Sequence, residues 1–211
     1  MIHQQQEQGP LQTVTYWPPW PTYALDWSSL GSDHPCLIAL SSFNIPSVCG
    51  SGTQNYIRLL GMDEEAEELR PKGKDTRVDK VVSMLRWCPA RLSGRLFLGA
   101  AGLGLSIYAL NEEGNSDSDL LLRHRFIPSH GNPNKTPPFT SLSWCPSDPS
   151  LVLSACYDTT CSVWSLETGA LKHHLIAHDR NAVLDAAWTN LHEHFISAGA
   201  DGTIRSFDLR Y

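Results

Sequence analysis

Ser197, Asp201 and His178 supply the three side-chain types of a hydrolase triad: a hydroxyl nucleophile, an imidazole base and a carboxylate to orient it. Ser197 and Asp201, however, stand four residues apart across a predicted hairpin turn, with no G-x-S-x-G elbow and no Gly-rich oxyanion loop nearby. Gly99-x-x-Gly102-x-Gly104 could cradle a phosphate only if it opened a helix, and it lies between two predicted strands. His173 and His174, and the pair His192 and His194, lack a third ligand at metal spacing. The residues therefore point to no catalytic, cofactor-binding or metal-ligating site, and the protein reads as a non-enzyme.

The elements that hold these residues explain them better. Ser154-x-x-x-Asp158-x-x-x-x-x-Trp164 recurs as Ser197-x-x-x-Asp201-x-x-x-x-x-Phe207, each copy preceded by an alternating apolar run that ends in Trp, Phe139 to Trp144 and Ala182 to Trp188. Alternation between Gly, Asp and Pro turn residues marks strands, so the unit is strand, turn, strand, turn, strand. Two looser copies lie upstream: Trp87-Cys88-Pro89 repeats as Trp144-Cys145-Pro146, and Tyr23 to Trp27 opens the earliest, followed by Leu37 to Phe43 and Tyr56 to Met62. The anchors Trp27, Trp87, Trp144 and Trp188 are 60, 57 and 44 residues apart, the last being the length of one propeller blade. The predicted organisation is a disordered tail over 1–13 and a partial propeller over 14–211, with blades at about 18–70, 77–126, 137–175 and 178–211. Asn44 to Asn55, Asn111 to Asp119 and Pro128 to Pro138 read as loops, and Asp63 to Glu68 as a solvated acidic turn.

These features resemble WD-repeat blades. The resemblance implies a hydrogen-bonded series of His, Ser, Asp and Trp inside each blade, which fixes strand register because an unpaired buried polar group costs about 1–3 kcal/mol. In the fourth copy His178, Ser197 and Asp201 take the first three roles and Phe207 replaces the indole. In the third, Ser154, Asp158 and Trp164 are present and Asn134 stands for His. Arg77 and Gly102 stand where His and Asp would in the second copy, and Gln54 stands for Asp in the first.

Asp158 to Trp164, Leu175 to Asp179 and Ala200 to Arg210, with Val14-Thr15-Tyr16 and Pro21 to Leu25 near the start, are similar to the plant Transparent Testa Glabra proteins and their animal and fungal relatives. That resemblance implies an all-β WD-repeat β-propeller of seven blades, of which this sequence holds about four. It also implies a scaffold that assembles transcription factors in plants and dual-specificity kinases in animals. Phe207-Asp208-Leu209-Arg210 further resembles the W-D-x-R signature of cullin-4 ubiquitin ligase substrate receptors, in which Asp208 and Arg210 would meet the ligase adaptor.

Composition narrows the partners to proteins. Sixteen basic residues against 22 acidic ones give a net charge of −6, leaving no overall field for nucleic-acid phosphate. No apolar run is long enough to cross a bilayer and no leader pattern opens the sequence, and the six cysteines, without a C-x-x-C pair, read as reduced apolar side chains. The expected locations are cytoplasm and nucleus. The sequence stops after the third strand of the fourth copy, which predicts an open arc that associates through its end blades, as a truncated product without independent function or as a piece completed by another chain.

Overall fold

The computed structural model describes residues 13–28, 36–44, 54–63, 66–111, 119–127, 137–191 and 193–210. Expectations for the tail, for most of the long loops, and for Cys49, Asn134 and His192 lie outside these residues.

Among the described residues, sixteen strands form four antiparallel sheets in chain order. The first contains β1 (Thr22–Trp27), β2 (Leu37–Ser42), β3 (Asn55–Asp63), β4 (Glu68–Pro71) and β5 (Thr76–Val78). The second contains β6 (Val82–Trp87), β7 (Phe97–Gly102), β8 (Leu105–Asn111) and β9 (Asp119–Phe126). The third runs β10 (Phe139–Trp144), β11 (Leu151–Cys156), β12 (Thr160–Ser165) and β13 (Ala170–Ile176). The fourth is β14 (Val183–Trp188), β15 (His194–Gly199) and β16 (Ile204–Asp208).

One boundary differs from the sequence reading. Arg77 belongs to the first sheet, because β5 returns to pair with β3 alongside β4 and places Arg77 opposite Tyr56. Thr13 to Trp17 is irregular; the Tyr16 hydroxyl accepts a hydrogen bond from Arg58 at 2.6 Å, while that guanidinium also clasps Asp75. The triple-glycine phrase is the end of β7 and its turn into β8, strand to strand as expected.

The same register recurs in every sheet. Trp27, Trp87, Trp144 and Trp188 end the first strands and pair with Ile38, Leu98, Val152 and Phe195, and each pairing shifts near the strand start, at Thr22, Val82, Phe139 and Val183. Two anchors also join neighbouring sheets. The Trp87 indole N–H donates to the Asp26 carbonyl at 3.2 Å and that of Trp144 to the Arg86 carbonyl at 3.0 Å, each acceptor being the residue just before the preceding anchor.

Apolar cores fill the spaces between adjacent sheets, because each sheet has side chains on both faces and buries one face against each sheet beside it. Leu59, Leu85 and Leu98 pack between the first two sheets, Ile107, Leu142 and Trp164 between the second and third, and Leu153, Val163 and Phe195 between the third and fourth. The array does not close into a ring. Tyr23, Leu25 and Trp27 on the first sheet and Leu184 and Ile204 on the fourth are more than half exposed.

Candidate functional site

Aligning the sheets by register, rather than by distance along the chain, identifies the equivalent positions. Leu98, Val152 and Phe195 all face an anchor Trp, so Ala100, Ser154 and Ser197 are equivalent, and so are Gly104, Asp158 and Asp201 in the following turns. On the third strands Tyr108, Trp164 and Phe207 correspond. Gly104, not Gly102, therefore holds the Asp position of the second sheet. In the first sheet that position is Asn44, not Gln54, with Leu40 and Leu60 at the Ser and Trp positions. Distance along the chain misleads because the turn between second and third strands varies in length: Leu98 pairs with Tyr108 ten residues on and Ile38 with Leu60 22 residues on, whereas Val152 and Phe195 pair with residues twelve on.

In the fourth sheet the structure brings together His178, Ser197 and Asp201. His178 Nδ1 lies 2.9 and 3.0 Å from the Asp201 carboxylate oxygens, and Nε2 lies 2.8 Å from Ser197 Oγ. An ionised carboxylate only accepts hydrogen bonds, so Nδ1–H donates to Asp201, and in the neutral ring Nε2 accepts from the Ser197 hydroxyl. Asp201 also receives the Thr203 N–H and hydroxyl at 3.0 and 2.8 Å. The hydrogen bond from His178, reinforced by Thr203, holds the Asp201 carboxyl well below the usual carboxylate range. Arg205 closes the outer side, donating to the Ala177 carbonyl at 3.0 Å and reaching Asp201 at 3.4 Å.

The arrangement matches a triad in distances and differs from one in access. His178 is fully buried and Ser197 nearly so. Ser197 sits in a central strand paired on both sides, at Ala186 and Arg205. A nucleophile must meet its substrate; this hydroxyl meets only strand and imidazole. Its work is to tie the segment before β14 to the β15–β16 turn.

The third sheet divides the same parts differently. Trp164 Nε1–H donates to Ser154 Oγ at 2.8 Å, completing the link that Phe207 cannot make in the fourth sheet. Asp158 does not join them: it accepts the Thr160 N–H and hydroxyl at 3.2 and 2.6 Å, the same turn chemistry as Asp201 with Thr203.

Gly199 is a participant that sequence reasoning overlooked. A Cβ there would overlap the His178 ring, and the equivalent position in the third sheet is Cys156. The signal was legible as Ser-x-Gly-x-Asp in the copy with His against Ser-x-Cys-x-Asp in the copy without it. Thr203 and Arg205 were overlooked as well, although Asp-x-Thr occurs in both turns.

Asp208 and Arg210 form a separate, exposed pair at the end of β16. Arg210 Nε and one terminal nitrogen donate to the Asp208 oxygens at 2.9 and 2.6 Å, and His194 Nε2 lies 3.1 Å from both partners. These hydrogen bonds hold the Asp208 carboxyl well below its ordinary range. Among the thiols, burial pushes Cys88 up to about 11 and Cys156 and Cys161 up to about 12, which makes them packing groups and poor nucleophiles.

The comparisons fit this geometry. The profile of the WD40 family, WD domain, G-beta repeat, matches residues 124–165 and 169–208. The first segment starts in β9 and the second one residue before β13, each the outermost strand of its sheet, and each ends in the third strand of the next, so each repeat spans two blades. The chain thus carries WD40 repeats on an all-β fold, and among the described residues its four sheets stand as successive blades of a β-propeller that do not close into a ring. It is 32% identical over 198 residues to a Dictyostelium discoideum protein named DDB1- and CUL4-associated factor 7 homolog, covering 93% of this chain and 56% of that one. An uncharacterized WD repeat-containing protein of Schizosaccharomyces pombe is 31% identical over 91% of this chain and 44% of its own length. The WD repeat-containing protein YPL247C of Saccharomyces cerevisiae is 30% identical over 90% of this chain and 36% of its own. The chain therefore spans about half or less of these relatives.

Proposed function

We propose that the chain is part of a WD-repeat interaction platform that assembles transcription-factor or kinase complexes in the cytoplasm and nucleus. The observation that carries this reading is the burial of His178 and Ser197: the constellation of His178, Ser197 and Asp201 is consumed in holding a blade together, leaving the blade rims and loops to meet other proteins. The similarity of Asp158 to Trp164 and Ala200 to Arg210 to the Transparent Testa Glabra proteins and their kinase-binding relatives supports the choice of partner class. Affinity capture on the immobilised chain, with a dual-specificity kinase and a plant transcription factor offered separately, tests it. Saturable retention of either supports the platform, and retention of neither above an unrelated propeller sinks it.

A second reading, a substrate receptor of a cullin-4 ubiquitin ligase, draws support from the name of the Dictyostelium relative and from Arg210. The Asp208 carboxylate pre-orients that guanidinium at the end of β16, where half of its side chain is exposed. A planar, oriented guanidinium suits two-point recognition of a carbonyl or carboxylate. Arg210→Ala should reduce adaptor capture at least about tenfold while kinase capture is unchanged; equal recovery removes the reading.

A further inference from the structure

We propose that the junction of the first and second sheets is a docking pocket for an apolar side chain that a protein partner presents beside an acidic residue. The inference rests on the platform reading and gives that platform one contact surface.

The pocket exists because the second sheet has lost the polar series. Ala100, Gly104 and Tyr108 occupy the positions of Ser197, Asp201 and Phe207 in the fourth sheet. Alanine removes the hydroxyl and glycine the carboxylate. Arg77, five residues before Val82 as His178 is before Val183, is drawn away into β5. What remains is a cavity of about 160 Å³ lined by Ala100, Gly104 and Tyr108 together with Val78 and Val82. An apolar cavity of about 150 Å³ holds a benzene ring, so this space fits a leucyl or phenyl group.

Its mouth is dressed for a partner. Leu103 and Ile127 stand on the rim 44% and 58% exposed, although both are large apolar side chains beside a cavity. Lys80 and Arg125 also line it against the single carboxylate of Asp79, which pairs with Arg125 at 3.1 Å. On a chain with a net charge of −6 this is a local excess of positive charge. It favours an anionic neighbour next to the inserted side chain.

The chain, labelled at its Val, Leu and Ile methyl groups, is titrated at low salt with acetyl-Leu-Asp-amide, acetyl-Leu-Lys-amide and acetyl-Ala-Asp-amide while methyl resonances are followed. The first should shift Val78, Val82 and Leu103, the alanyl peptide should bind at least about tenfold more weakly, and the lysyl peptide about threefold more weakly, with that difference fading at about 0.5 M salt. Ala100→Leu fills the space and should abolish the shifts. If that variant unfolds on heating before the parent does, Leu103→Asn on the exposed rim should weaken all three peptides, and Arg125→Gln should remove only the charge preference. No shift at millimolar peptide, equal binding to folded Ala100→Leu, or no preference for the acidic neighbour would each overturn the pocket. Failure here with kinase or transcription-factor capture intact sinks the pocket alone, whereas loss of all capture sinks the platform.

Discussion

Gly199 leaves the space that the His178 imidazole occupies: any side chain at 199 would begin inside the ring. Gly199→Ala must therefore push the imidazole off Ser197 and Asp201 or move the strand, at a cost of about 1–3 kcal/mol. Gly202→Ala is the control, since Gly202 faces open space and has φ of 76°, a strain of about 1 kcal/mol for an alanine. Urea unfolding of both variants measures the difference, and a Gly199→Ala loss no larger than that of Gly202→Ala would refute the steric account.

Phe207→Trp should restore the donor that the fourth sheet lacks. Trp164 shows the geometry with its 2.8 Å bond to Ser154. Phe207 already stacks on Phe195 with ring centroids 4.8 Å apart, which orients an indole placed there. The expected gain is about 0.5–1.5 kcal/mol. It should vanish in a Ser197→Ala background, and a gain that persists there belongs to ring area instead of the hydrogen bond.

The anchor tryptophans are predicted to be unequal. Trp144 donates to the Arg86 carbonyl across a blade boundary, whereas Trp188 Nε1 is buried without a partner among the described residues. Trp144→Phe should lose the bond and strand a carbonyl, costing about 1 kcal/mol more than Trp188→Phe. Thermal unfolding of the two variants decides it, and equal losses would show that the inter-blade bond contributes nothing.

Acid should act through Asp201. Its folded-state carboxyl is lowered below the value in the unfolded chain, so the unfolded state takes up protons first as pH falls. The stabilisation from this group is complete at neutral pH, begins to fade below about pH 5, and is lost as pH falls through the folded value. Asp201→Asn should flatten that part of the stability profile relative to wild type. A profile between pH 5 and pH 2 unchanged by the substitution would show that Asp201 is not coupled to folding.

The repeat phrase was enough to read four successive β units and the anchor tryptophans, because strand alternation and turn chemistry are local, while the resemblance to WD-repeat blades implied the His178, Ser197 and Asp201 trio. Sheet boundaries were less legible: β5 returns to the first sheet through pairing with β3, whose partners lie 21 residues apart at Tyr56 and Arg77 and 23 apart at Asn55 and Val78, a contact that no local pattern announces. Gln54 and Gly102 were misplaced for the same reason, since loop length carries the count astray while hydrogen-bond register does not.

By itself the amino-acid order determined the β-blade class, which follows from periodicity and turn residues along a short stretch, and its resemblance to WD-repeat blades implied the residue types that could bond within each blade. Only the tertiary structure decided which of those residues meet. It buried Ser197 and His178 beyond any substrate, parted Asp158 from Ser154, and opened a hollow beside Ala100 and Gly104. Each of these outcomes depends on packing between strands whose spacing is set in space, by register and by the neighbouring sheet.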